Sequence, residues 1–239
     1  MLAELIRANQ PCVALTGAGV STESGIPDFR SAGGIWSRFD PYEVASIDAF
    51  RRDPAKVWEF YALRLDVLAD AKPNDAHHAL ARLEAAGLLE GVITQNVDRL
   101  HAAAGSRDVI EVHGSIARAE CLACGADVSG DELRALLPLP RCPRCGAVLK
   151  PGVVMFGELL PEAPMNRALE LAQAAALLLV IGSSLEVWPV AGLPEETLAY
   201  GGKLAIVNRE PTRYDARAAL VTHQPAGEVL AQASAASES

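Results

Sequence analysis

CVALTGAGVSTESGIPDFRSAGGIW, from Cys12 to Trp36, is the stretch on which the reading of the chain turns. Val13, Ala14 and Leu15 suit a short strand buried on both faces, and the run stops at Thr16 in a loop rich in Gly and Ser. Gly17 and Gly19 remove the Cβ atoms that would hold a ligand away from backbone N–H groups. The residues after Gly19 are expected to start a helix, whose free N–H groups and positive dipole end favour a pyrophosphate. Set against the dinucleotide fingerprint G-x-G-x-x-G, Gly17 and Gly19 are present but Thr22 stands third, and no strand-end acidic residue sits at the usual distance. Those two departures disfavour a hydride-transferring dehydrogenase, and a G-x-G alone also fits an ordinary tight turn.

The adjoining segment Ser24–Arg30 carries Phe29 and Arg30, which have no evident packing purpose in a polar loop. With them the stretch GAGVSTESGIPDFR resembles the NAD-binding loop of the sirtuins, the NAD-dependent protein deacylases. The resemblance implies that Gly17, Ala18, Gly19, Ser21, Asp28, Phe29, Arg30 and Trp36 lie against NAD. Phe29 would shield the reactive sugar carbon once nicotinamide has left, and Ala32 would leave room for a longer acyl group.

Composition sets outer bounds. The 239 residues are half hydrophobic, enough for a substantial core in one large or two small domains. Net charge is −9, and no dense run of Lys or Arg exists to track a phosphate backbone, so direct nucleic-acid binding is not expected. The start MLAELIRANQPC lacks the pattern of an export signal, and the longest apolar run, Ala174–Ile181, is too short for a bilayer. A cytoplasmic protein without membrane association is expected.

Four of the five cysteines form two C-x-x-C pairs, Cys121/Cys124 and Cys142/Cys145, with seventeen residues between the pairs. This is the spacing of a four-thiolate zinc ribbon. Four protein ligands leave no open position, so the zinc is expected to be structural, and the segment is too short to fold without it. Gly125 and Gly146 follow each pair, where a sharp turn is expected to aim N–H groups at sulfur. Cys12, heading the first strand, reads as a small buried hydrophobe.

Along the remainder, Leu2–Ala8 is a short helix, and residues 37–72 turn helical, with Asp53-Pro54 as a helix start. Tyr61 and Arg64, three apart, share a helix face; read without context, Tyr61 is half of an apolar stripe and Arg64 a snorkelling surface charge. Asn74 or Asp75 caps the next helix. Its adjacent His77 and His78 point about 100° apart, which favours capping and packing over ligation of one ion. Strands are expected at 91–94, 109–112, 153–156, 176–181 and 203–207, several ending in small or polar loops: Gln95, Asn96, Val97 and Asp98; His113; Gly182, Ser183 and Ser184; Asn208, Arg209 and Glu210. In open α/β sheets ligands bind at such carboxyl ends. Ala226 begins the last helix, and 234–239 reads as a frayed polar tail.

TQNVDRLH at 94–101 is a second stretch that resembles the sirtuins. The resemblance places Gln95 and Asn96 on the ribose side, Asp98 at the nicotinamide carboxamide, and Val97, Gly182, Ser183, Ser184, Asn208, Arg209, Glu210 and Ala226 along the rest of NAD. His113 becomes the general base. Val153, Val154, Phe156, Gly157 and Glu158, with Val187 opposite, become contacts to acyl-lysine peptide, the Phe-Gly-Glu portion pairing with it as an added strand. Met155 departs from the aromatic or branched residue common there. Tyr61-Ala-Leu-Arg64 is similar to a pair found in sirtuins that remove succinyl, malonyl or glutaryl groups, since a guanidinium holds a carboxylate bidentately and a phenol adds a third bond. Asp28 argues against that preference, as acid-preferring relatives often carry Thr there.

The expected fold is α/β: a Rossmann-like parallel sheet (1–36, 73–115 and 150–239) with a smaller domain made of a helical insertion (37–72) and a zinc ribbon (116–149). The resemblance implies an NAD-dependent protein-lysine deacylase, yielding nicotinamide, free lysine and O-acyl-ADP-ribose, with one structural zinc; a monomer is expected. A mono-ADP-ribosyltransferase or NAD glycohydrolase using the same pocket is the alternative. A non-catalytic zinc-ribbon module leaves the polar strand ends unexplained.

Overall fold

The computed structural model describes residues 1–236. It divides into two compact units. The first comprises Met1–Ile26, Lys72–Val112 and the chain from Pro161 onward, the second Pro27–Ala71 and His113–Leu160. Residues 27–36, 113–115 and 150–160, given to the NAD-binding domain from the sequence, cluster with the second unit.

Among the described residues the strands are β1 (Cys12–Thr16), β2 (Gly91–Thr94), β3 (Val109–Glu111), β4 (Gly114–Glu120), β5 (Asp127–Ser129), β6 (Lys150–Val153), β7 (Leu177–Ile181), β8 (Lys203–Val207) and β9 (Leu220–Thr222). The first unit holds a six-stranded sheet in the order β3-β2-β1-β7-β8-β9, with every pair parallel. The direction of the strand order reverses between β1 and β7. Thr16 lies opposite both Thr94 and Ile181, and Ile181 opposite Val207, so the central strands end level and their loops form one row.

Parallel strands covered on both faces need continuous apolar runs, and β1 and β7 are buried at every residue. Helices Leu2–Ala8, Asp75–Ala85 and Ala226–Ala235 close one face over Ala14, Leu177, Leu179 and Ala205, with Ile6, Leu80, Leu83 and Leu230 at the centre of that core. Each such leucine or isoleucine contributes about 1.5–3 kcal/mol through burial. Helix Asp75–Ala85 starts on a capping box: the Asn74 side chain accepts from the Ala76 and His77 N–H groups, and the Asn74 N–H donates to His77 Nδ1. That capping role is the one expected for Asn74, and His77 is fully buried at the helix start.

The second unit contains a three-stranded antiparallel sheet, β5-β4-β6, and helices Pro41–Val44, Ile47–Arg52 and Pro54–Asp70. Asp53 caps the longest, its carboxylate accepting from Lys56 N–H at 3.1 Å with Pro54 in the first turn. Trp58, 1% exposed, donates from Nε1 to Leu149 O at 2.7 Å, tying this helix to the chain that leaves the second cysteine pair.

Several local expectations change. After Gly17 the chain forms a 3-10 helix, Ala18–Ser24, not an α-helix; Gly25 in the left-handed region ends it and Pro27 follows. The strand expected at 153–156 lies at Lys150–Val153, and Phe156 instead makes a parallel bridge with Ser46. Ser234 is 1% exposed and accepts from Arg82, so the tail does not fray there, because the last helix runs to Ala235; residues 237–239 lie outside the described residues. No described helix is long and apolar enough to cross a membrane.

Candidate functional site

At the reversal between β1 and β7 the two following loops interlock. Gly17 N–H donates to Ile181 O at 3.0 Å and Gly19 N–H to Gly182 O at 2.9 Å. These two N–H groups are therefore spent on the neighbouring loop and do not face a ligand, as the sequence had suggested. The glycines are required for contact: a Cβ on either would come within 2.8 Å of Gly182 backbone atoms. Gly182 has φ +58°, and a Cβ there would strike the Val20 nitrogen. Crevices at such a reversal are where open α/β sheets take ligands.

Buried polar groups gather on this row. Ser21, 1% exposed, donates from Oγ to Asp98 Oδ2 at 2.7 Å and accepts from Asn96 Nδ2 at 3.0 Å. Asp98 Oδ1 accepts from Leu100 N–H, so it also starts the helix Leu100–Ala104. Gln95 donates from Nε2 to Ser183 Oγ at 2.9 Å, joining the loops after β2 and β7. Thus Gly17, Gly19, Ser21, Gln95, Asn96, Asp98, Gly182 and Ser183 are brought together in one unit by strand register; Ala18, Val97 and the exposed Ser184 lie within the same loops. Farther along, Asn208 Nδ2 donates to Glu210 O at 2.7 Å and Arg209 is exposed. Ala226 is buried, and the next N–H, of Gly227, donates to Glu23. Val187 is half-buried beside the exposed Trp188.

Behind the row lies a polar cluster that the sequence reading missed. Thr16 Oγ1 donates to Thr94 Oγ1 at 2.8 Å and meets His101 Nε2 at 2.9 Å. The rings of His101 and His77 are 4.7 Å apart. Burial pushes His101 down to about 3, with His77 adding to the effect. Burial likewise lowers His77 to about 4, opposed by Asp98 and reinforced by His78. The signal was available: Thr16 and Thr94 are both polar last residues of apolar strands. Cys12, by contrast, is fully buried with its thiol pushed up to about 12 by desolvation, an inert core residue as expected.

In the second unit the loop carrying Asp28, Phe29, Arg30 and Ala32 folds on itself. Asp28 Oδ1 accepts from Arg30 and Ser31 N–H, while Trp36 N–H donates to Phe29 O. Contrary to the sequence reading, Phe29 has packing partners: its ring lies 5.0 Å from that of Trp36, and the Arg64 guanidinium sits 4.9 Å above it. Trp36 also stacks on Phe60 at 6.2 Å and approaches Phe156. Arg64 is half-buried among aromatic rings and not a snorkelling surface charge, because Phe29 and Phe60 offer it cation–π faces. Tyr61 is buried, and burial foremost raises its phenol, with Arg64 lowering and Glu158 raising it.

His113 follows Val112 directly, and Val112 N–H donates to Thr94 O at 3.1 Å, continuing β3 to the level of the strand ends. The His113 carbonyl accepts from Val154 N–H at 2.9 Å. Val153 is buried, and Phe156 spends both backbone groups on Ala45 and Ile47. A tight turn follows, with Glu158 N–H donating to Met155 O and Gly157 exposed at φ +89°. Neither backbone group of Gly157 has a partner among the described residues.

The sulfurs of Cys121, Cys124, Cys142 and Cys145 all lie within 4.8 Å of one another. The Cys121–Cys145 and Cys124–Cys142 distances are 3.4 and 3.6 Å, close to the edge of about 3.8 Å of a tetrahedron with 2.3 Å zinc–sulfur bonds. The residues therefore fit one zinc ion with no position left for substrate. Gly125 and Gly146 have φ near +70° and +78°, and their own N–H groups donate to the carbonyls of Cys121 and Cys142; the N–H groups aimed at sulfur, as expected of these turns, are those of Ala123 and Cys124 at Cys121 and of Ala147 at Cys145.

A parallel doubly wound sheet with a buried polar set at its reversal, joined in one chain to a four-cysteine module, defines a nucleotide-binding α/β protein with a structural metal. The chain belongs to the Sir2 family, whose model matches residues 17–189. It is 46% identical over 229 residues to the NAD-dependent protein deacylase 2 of Pyrobaculum aerophilum, covering 96% of this chain and 92% of that one. A mutant Sir2 homologue in complex with ADP ribose superposes with a TM-score of 0.96 at 42% identity, covering 99% of this chain and 95% of the other. A Sir2–p53 peptide–NAD+ complex gives 0.89 at 40% identity, covering 97% and 95%.

Proposed function

We propose that the protein is an NAD-dependent protein-lysine deacylase. The observation that carries this reading is the set of buried Ser21 and Asn96 with half-buried Asp98, polar groups held by one another at the sheet reversal in a family whose relatives bear that name. When bound, NAD supplies the leaving nicotinamide and the ADP-ribose that accepts the acyl group. Asn96 and Gln95 offer amides to ribose hydroxyls, Asp98 a carboxylate to an amide, and Ser21 fixes both Asn96 and Asp98. Phe29, held by Trp36 and Arg64, covers the sugar against water. His113 takes a proton from a ribose hydroxyl, a general-base task suited to an imidazole. Val153, Val154 and Phe156 line the acyl-lysine path, Val187 contributes a further contact to the peptide, and Gly157 offers a free backbone N–H and C=O to it as a single added rung.

For the acyl group, the reading includes acids such as succinyl and malonyl. Tyr61 and Arg64 support it, the guanidinium being half-buried and stacked instead of solvated. The paired cysteines suit the reducing cytoplasm, and the net charge of −9 suits a monomer acting on proteins and not on nucleic acid. Incubating acyl-lysine peptide with and without NAD tests the core reading: free lysine and O-acyl-ADP-ribose must appear together, only with NAD, and His113→Ala must abolish both while remaining folded. Free ADP-ribose without an acylated product, or ADP-ribose on protein, refutes it.

A further inference from the structure

Lys150 is 2% exposed, an unusual place for an ammonium group, and it sits at the start of β6 outside the NAD and acyl-lysine positions discussed above. Its Nζ reaches Glu120 Oε1 at 3.0 Å, Glu158 Oε2 at 3.0 Å, Val153 O at 2.9 Å and Pro151 O at 3.2 Å. Every donor of the ammonium is thus engaged, as a buried charge requires. Its two carboxylates belong to different structures. Glu120 is the last residue of β4 and precedes Cys121, the first thiol of the metal module. Glu158 closes the turn that carries Gly157, because its Oε2 accepts from Met155 N–H at 2.9 Å while its own N–H donates to Met155 O at 3.0 Å.

The geometry points to Lys150 as a positioning residue for the peptide substrate: it clamps the Met155–Glu158 turn to the edge of the zinc module, so that the unpaired Gly157 backbone is presented at a fixed height. The identity of the peptide rests on the deacylase reading; the clamp itself does not. Removing the ammonium leaves two carboxylates facing each other across its site and frees Glu158 from the turn. Peptide binding then weakens, while NAD binding, which draws on the loops of the parallel sheet, is spared. Metal retention is spared too, because the cysteine turns are held by their own bonds, Gly125 N–H to Cys121 O and Gly146 N–H to Cys142 O.

The test uses the zinc-loaded full chain and compares the parent with Lys150→Met and Lys150→Arg. The expected result for Lys150→Met is a KM for acyl-lysine peptide raised about tenfold, the equivalent of one charge-assisted hydrogen bond, with the KM for NAD and the zinc content unchanged and part of the loss recovered in Lys150→Arg. Amide exchange gives a readout independent of turnover: Met155 and Glu158 must exchange faster in Lys150→Met while Cys142 and Gly146 do not. Both KM values rising together, unchanged exchange at Met155 and Glu158, or the cysteine turns opening with them overturns the proposal. If Lys150→Met does not fold, Glu158→Gln, which keeps an oxygen for Met155 but removes the charge, must show the same peptide-selective rise. If the parent deacylates no peptide the deacylase reading falls, and the exchange comparison alone decides the clamp.

Discussion

The histidine pair behind the ends of β1 and β2 makes the first unit acid-labile in a defined window. His101 is 1% exposed and His77 fully buried, and neither His101 Nδ1 nor His77 Nε2 has a hydrogen-bond partner among the described residues. A proton added to either ring would be buried beside the other. The folded values, about 3 for His101 and about 4 for His77, lie below the unfolded value of about 6.5. With a depressed folded pKa, the unfolded chain takes up the protons first. Stability is therefore complete above about pH 6.5 and is lost as pH falls, until the folded values are reached. At pH 5 the loss is about 2 kcal/mol for each histidine, hence up to about 4 kcal/mol for the pair against pH 7.5. Guanidinium unfolding of the parent and of His101→Gln at both pH values measures it. The variant loses the Thr16 contact at both pH values, so its absolute stability is uninformative; the difference between pH values is the readout, and it must be smaller than the parent's by about 2 kcal/mol. An identical pH dependence in the two proteins would refute the burial argument.

Three further outcomes are expected. Gly182→Ala forces a left-handed φ of +58° on alanine and drives its Cβ onto the Val20 nitrogen; a loss of about 2–5 kcal/mol in denaturant unfolding follows, and a loss under about 1 kcal/mol would show that the interlocked loops yield easily. Chelation should abolish activity by unfolding the β4–β6 sheet and cysteine turns, seen as loss of their amide protection, since metal binding and local folding are coupled; an active, folded metal-free protein contradicts this. Arg64→Met should cut succinyl- and malonyl-peptide turnover about tenfold or more, as for a lost charged hydrogen bond, and spare acetyl; a parent that strongly prefers acetyl removes the acid-acyl reading.

Periodicity and punctuation carried much of this protein. The apolar runs at 12–16, 177–181 and 203–207 have no alternative to a parallel sheet's interior, Asp53-Pro54 and Asn74 cap the helices they precede, and two C-x-x-C pairs specify a four-thiolate cluster. These features are local: each depends on the chemistry of a few neighbours. What the amino-acid order left undecided are pairings between residues far apart in the chain. Gly17 and Gly19 resemble a phosphate cradle in the sequence, but their N–H groups bond to the last residue of β7 and the first of its loop, more than 160 residues away. Phe29 showed no packing purpose in the sequence, yet Trp36 and Arg64 close on it, and nothing local announces that Glu120 and Glu158 converge on the Lys150 ammonium. A hydrogen bond or a buried charge is defined by its partner, and only the folded chain decides which partner comes within reach.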